Sequence, residues 1–164
     1  METVVVGSDI TPFNGPVETG LRAVVALHAS FPKELDIQRL TALDFLVVRT
    51  SLLGGPIDLH PSTPIMTPVT QVRRKAVYAG LDLMISRELV ERTITERGIY
   101  YRAGEYSSFF IDALTTSYAH QMLSRAKWIS DYFESYDDEA FETLMSDLLG
   151  DWVAEFQDEN AGVE

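Results

Sequence analysis

The sequence predicts a mainly α-helical fold with one small β-hairpin, and three observations carry that prediction. Apolar residues recur at helical spacing through five stretches of the 164-residue chain. Two short segments, LVERTI and IYYRAG, flank the polar turn TERG, whose Gly98 suits a tight reversal. Three of the helical stretches precede this hairpin, and helix–helix–helix–hairpin is the layout of a winged helix.

The first helix begins in FNGPVETGLR, where Gly15 and Gly20 stand at the spacing of a phosphate-cradling loop. Such a loop needs Lys and then Ser or Thr after its second glycine, and Leu21 and Arg22 hold those places. Pro16 also removes a backbone donor. A helix start accounts for every residue: Asn14 or Gly15 caps, Pro16 is pre-organised for the first turn, and Glu18 faces the positive end of the dipole. Val17, Leu21, Val24, Val25 and His28 then follow at helical spacing, so helix one runs from about Val17 to Ser30.

Phe31-Pro32 breaks the chain, and Asp36 caps a second helix through Ile37, Leu40, Leu43 and Val47. Its run LDFLVV is apolar nearly all round, which predicts burial on most sides. A long loop, SLLGGPIDLHPSTPIMTP, follows, and loops of that length are usually functional or mobile. Thr67 before Pro68 caps helix three, read to about Ser86. The hairpin spans about Leu89 to Arg102. A long fourth helix is expected from the stripe Phe110, Leu114, Tyr118, Met122, Ala126, Ile129 and Phe133. The fifth carries Phe141, Leu144, Met145, Leu148, Leu149, Trp152, Val153 and Phe156, with an acidic opposite face. The expected organisation is therefore one domain over 1–164. It comprises a winged-helix core at 13–106 and an extension of two C-terminal helices at 107–158.

Composition narrows the function. With 46% hydrophobic residues the chain can bury a real core, and no apolar run reaches membrane-spanning length. METVVVGSD is not a signal peptide, and the absence of cysteine excludes disulfides and thiolate metal sites, which fits the cytoplasm. Net charge is −12, and Asp131 to Glu164 holds twelve acidic residues and no basic one. Between Arg73 and Arg102, seven basic residues face four acidic ones. A nucleic-acid module usually presents a clear basic face, so autonomous DNA binding is disfavoured.

No catalytic constellation emerges. His28, His60 and His120 lie in different elements, and His28 reads as a core histidine. Asp58 and His60 could share a metal, yet no third ligand stands nearby. No nucleophile elbow is present. The chain is thus expected to be no enzyme, with no cofactor and no metal. As a winged helix it could still be a DNA-binding transcriptional regulator, with Arg73, Arg74 and Lys75 at the start of the recognition helix and Arg92 and Arg97 on the wing reaching the phosphate backbone. Against this, the next turn offers Val77, Tyr78 and Leu81, without Asn or Gln to read base edges.

The segments FNGPVETGLRAVVAL, LDIQRLTALDFLVV, LLGGPIDLHPSTP, VRRKAVYAGLDLMISRELV, GIYYRAG and RAKWI, in this order, resemble the middle component of ABC three-component systems, a group that includes Lamassu-type anti-phage defence. The likeness runs from about Phe13 to Ile129. It implies a small non-catalytic winged-helix subunit beside an SMC-like ABC ATPase with a Rad50-like head and an effector, often a nuclease. Such a subunit would join ATPase to effector as kleisin subunits do in SMC complexes, meeting DNA only through the complex and no membrane. The partner surface is expected at the long loop, whose Leu52, Leu53, Ile57, Leu59, Ile65 and Met66 need cover, either from a partner or by some folding back on the domain's own core, with Arg73, Arg74 and Lys75 as a charged rim. Because that rim is read as exposed, replacing Arg73 and Arg74 with Glu is expected to leave the thermal midpoint nearly unchanged.

Overall fold

The computed structural model describes residues 15–60 and 70–149. Helix α1 (Pro16–Ser30) starts as its sequence dictates: Gly15 is the extended cap, Pro16 occupies the first turn, and the Thr19 amide donates to the Gly15 carbonyl at 3.0 Å. In α2 (Ile37–Leu46) the Asp36 carboxylate accepts from the Arg39 amide at 2.8 Å. The chain from Leu40 to Val48 is buried at every position, as the all-round apolar pattern requires. A 3₁₀ turn (Thr50–Leu53) closes on Gly54, which takes the left-handed conformation at φ 74°. Helix α3 (Thr70–Ser86) ends where expected, while the Thr67-Pro68 start lies outside the described residues.

Strands β1 (Val90–Thr95) and β2 (Gly98–Ala103) pair antiparallel, with Ile94 opposite Ile99 and Glu91 opposite Arg102. Gly98 turns the chain at φ 129°, and the Thr95 hydroxyl receives the Arg97 amide at 3.2 Å. Leu35, between α1 and α2, forms a bridge to Tyr101 on β2 through two backbone hydrogen bonds of 2.8 and 2.9 Å. That contact ties the hairpin to the helical layer.

After the hairpin come α4 (Ser107–Asp112), α5 (Ser117–Tyr132) and α6 (Asp138–Leu149). The two long C-terminal helices are α5 and α6. The apolar stripe from Phe110 to Phe133, expected on one helix, is divided between α4 and α5. Thr116 restarts the helix by accepting the Ala119 amide at 3.1 Å, a capping bond that competes with continuation. On α6, Phe141 and Met145 are buried in the core, so this part of the helix closes the domain; Trp152, Val153 and Phe156 lie outside the described residues.

The core forms around α1, which packs against α3, α5 and α2, with Val24, Leu27, Leu46, Leu81, Met122 and Ile129 essentially inaccessible. Helices α1 and α3 cross through glycine. A Cβ on Gly80 would lie 2.5 Å from the Gly20 backbone nitrogen, and one on Gly20 would lie 2.9 Å from the Gly80 carbonyl oxygen. The second glycine of the apparent phosphate loop therefore exists for backbone-to-backbone packing.

Candidate functional site

Four polar side chains of the quoted sequence segments, Arg22, Asp44, His60 and Arg73, converge on one interior cluster. Arg22 is only 2% exposed, although it lies on a helix face of valines and alanines. Its Nε donates to Asp44 Oδ1 at 2.7 Å, and Arg73 Nη1 donates to Asp44 Oδ2 at 2.6 Å. Arg22 also reaches the Thr19 hydroxyl at 3.5 Å. One carboxylate, 5% exposed, thus joins guanidinium groups from α1 and α3 to α2. Phe45 floors the group, with the Arg73 and Arg49 guanidiniums 5.2 and 5.6 Å from its ring centroid.

His60 brings the long loop to the same place. Its Nε2 is hydrogen-bonded to the Tyr118 hydroxyl of α5 at 2.7 Å, with the two rings nearly parallel. Burial, with the positive charges of Arg22, Arg49 and Arg73 behind it and Asp44 opposing, lowers the His60 pKa to about 4. The imidazole is neutral at pH 7. Burial also raises the Tyr118 pKa, although Arg22 opposes the shift. Charge placed this way is paired and held rather than offered to a reactant, and its effect is to pin α1, α2, α3, α5 and the loop to one another.

Among the residues expected to meet a partner, Leu52, Leu53 and Leu59 are half-buried against the domain's own core. Ile57 alone of the described apolar loop residues stands out, at 85% exposed. Its carbonyl accepts from Arg125 Nη2 at 2.6 Å, and Gly55 lies against Trp128, whose ring a Cβ there would meet at 2.6 Å. Ile65 and Met66 lie outside the described residues. Arg73 is not a rim charge: it belongs to the buried ion pair, so the expectation that replacing it leaves stability unchanged is corrected. Arg74 is half-buried and Lys75 is exposed, as are Arg92 and Arg97 on the hairpin. Asp58 and His60 have separate partners: Asp58 accepts from the Ser51 amide at 3.0 Å, while His60 bonds Tyr118. His28 is half-buried and lines a cleft of about 540 Å³ with Phe31, Arg102 and Ser107, at the edge of the core.

Sequence reasoning missed Asp44 altogether, although a lone acid within LDFLVV is the signal of a buried, paired charge. It also read Tyr118 only as part of an apolar stripe and passed over Gly80; the partners of both are remote in sequence.

The family described as ABC-three component (ABC-3C) system Middle Component 2 matches residues 12–155, nearly the whole chain. The chain belongs to this family, and is thus a middle component of an ABC three-component system. Comparison with curated proteins and with solved structures finds no match. Among the described residues, no helix is long and apolar enough to cross a membrane.

Proposed function

We propose that this chain is a non-catalytic cytoplasmic adaptor, joining an SMC- or Rad50-like ABC ATPase to an effector, of nuclease type by resemblance, within a Lamassu-type anti-phage defence complex. The observation that carries this reading is the family match over residues 12–155. The interior supports it: Gly20, Arg22, Asp44 and His60, from the most characteristic segments, are engaged in holding helices and loop together. The order α1, α2, α3, β1, β2, with Leu35 bridging to β2, suits a winged-helix core at 13–106 that carries a helical extension over 107–158. The exposed Ile57 of the loop and Lys75 of α3 are our candidates for partner contacts, while the half-buried Leu52, Leu53 and Leu59 anchor the loop to the core.

Co-expression with the other two components of its system, followed by size exclusion, tests the proposal. A stable complex containing all three chains is expected, and the chain alone should neither hydrolyse ATP nor cut nucleic acid. Nanomolar binding of a palindromic duplex by the lone protein, without partners, would instead favour a winged-helix transcriptional regulator.

A further inference from the structure

The hairpin leaves one sheet edge open. On its other edge, Leu35 exchanges two backbone hydrogen bonds with Tyr101 of β2. In an antiparallel ladder, directly opposite residues turn their main-chain groups both inward or both outward, in alternation. Tyr101 turns outward to Leu35, so Arg92 opposite it also turns outward, and so does Ile94 two residues on. Among the described residues nothing bonds to these N–H and C=O groups of Arg92 and Ile94. The edge is accessible: Glu91, Arg92, Ile94 and Thr95 are all exposed, Ile94 at 74%. An accessible edge is a template for another strand.

Charge and symmetry identify that strand. A chain of net charge −12 repels a second copy of itself over most of its surface. The hairpin escapes this repulsion, since residues 90–103 set Arg92, Arg97 and Arg102 against Glu91 and Glu96. A two-fold interface brings the same patch together from both sides, so the edge must complement itself. Centred on Arg92, the pairing would oppose like charges, which destabilises a cross-strand pair. Centred on Ile94, it fits. Ile94 then lies opposite the second copy's Ile94, and the Ile94–Ile99 pair of each hairpin joins one row of isoleucines across both copies. Thr93 lies opposite the second copy's Thr95. Arg92 comes level with the second copy's Glu96 in the turn, and Glu91 with its Arg97.

We propose that the open edge of β1 pairs with the same edge of a second copy of this chain, antiparallel and centred on Ile94, so that the two hairpins form one continuous sheet. The Ile94 amide of each copy donates to the Ile94 carbonyl of the other. The isoleucine row covers side chains that are 74% and 48% exposed in the single chain. A subunit paired this way brings two copies of the adaptor into one assembly.

Sedimentation velocity on the purified full chain, over a range of loading concentrations, tests the pairing. The wild type should show a monomer–dimer equilibrium. Ile94→Pro removes an amide that the hairpin itself does not use, so both copies lose a donor and the dimer should weaken about tenfold or more. Should that variant fold poorly, a charge swap decides the matter without touching the ladder. Arg92→Glu and Glu96→Arg each set like charges opposite one another in the homodimer, and each alone should weaken it. Mixed in equal amounts, the two variants regain opposite charges at both positions, and a heterodimer should form. A mixture no tighter than either variant alone would overturn the pairing, as would a wild type that is monomeric at every concentration. A monomeric wild type whose Ile94→Pro variant drops out of the complex co-expressed with the other two components would give the edge to a strand of one of them, leaving the adaptor reading intact.

Discussion

Replacing Asp44 with Asn removes a buried charge that bonds two guanidinium groups at once. The side chains of Arg22 and Asp44 are 2% and 4% exposed, whereas that of Arg73 retains 21%. Arg73 can therefore swing toward water when its partner is lost, and Arg22 cannot. Removing one member of a buried pair typically costs about 3–5 kcal/mol, most of it from the stranded charge. At about 2–4 °C per kcal/mol for a chain of this size, the unfolding midpoint should fall by about 6–20 °C. Urea titration and thermal melts followed by circular dichroism at 222 nm measure both quantities. The combination Arg22→Met with Asp44→Leu should recover much of the loss, since apolar replacement of an entire buried pair is often neutral. A loss below about 1 kcal/mol in the Asn variant would refute this account of the cluster, because that is what an exposed pair contributes.

Stability should also depend on His60. Its pKa is lowered to about 4 in the fold against an ordinary 6.5, so below pH 6.5 the unfolded chain binds the extra proton first. The contribution of neutral His60 is fully present above pH 6.5, is lost progressively as pH falls toward 4, and levels off below that; His60→Gln should flatten this part of a stability–pH curve. Gly80→Ala should destabilise by about 1–3 kcal/mol in urea titrations despite its better helix propensity, because the new methyl meets the Gly20 backbone. Tyr118→Phe, which removes the hydroxyl bonded to His60, should cost about 0.5–1.5 kcal/mol in the same assay.

Local chemistry was readable in the sequence, and remote pairing was not. The start of α1 at Gly15-Pro16, the Asp36 cap and the turn at Gly98 each depend on residues within one or two turns of one another. The break between α4 and α5 had a local signal in Thr116, yet the apolar spacing runs through it and hid the restart. Arg73 was misread because a run of three basic residues opening a helix looks solvated. Its burial depends on Asp44, 29 residues away, and on the ring of Phe45 beneath it. Pairing of Gly20 with Gly80 is equally invisible to a pattern of neighbours. The half-buried loop leucines follow the same rule: composition said that they needed cover, and only the packing says that their own core provides much of it.

The glycine crossing of α1 and α3 has a mechanical consequence. Where two helices meet through side chains, a displacement of one can be absorbed as rotamers change, and the neighbour need not move. At Gly20 and Gly80 backbone meets backbone, with the Met84 side chain packed beside Gly20, and close-packed interiors transmit strain. A push on the outer face of α3 therefore reaches α1 without an elastic layer between them. Just beyond the crossing, the Arg22–Asp44 bond carries it into α2. A domain built this way is a stiff coupling among its own helices α1, α2 and α3.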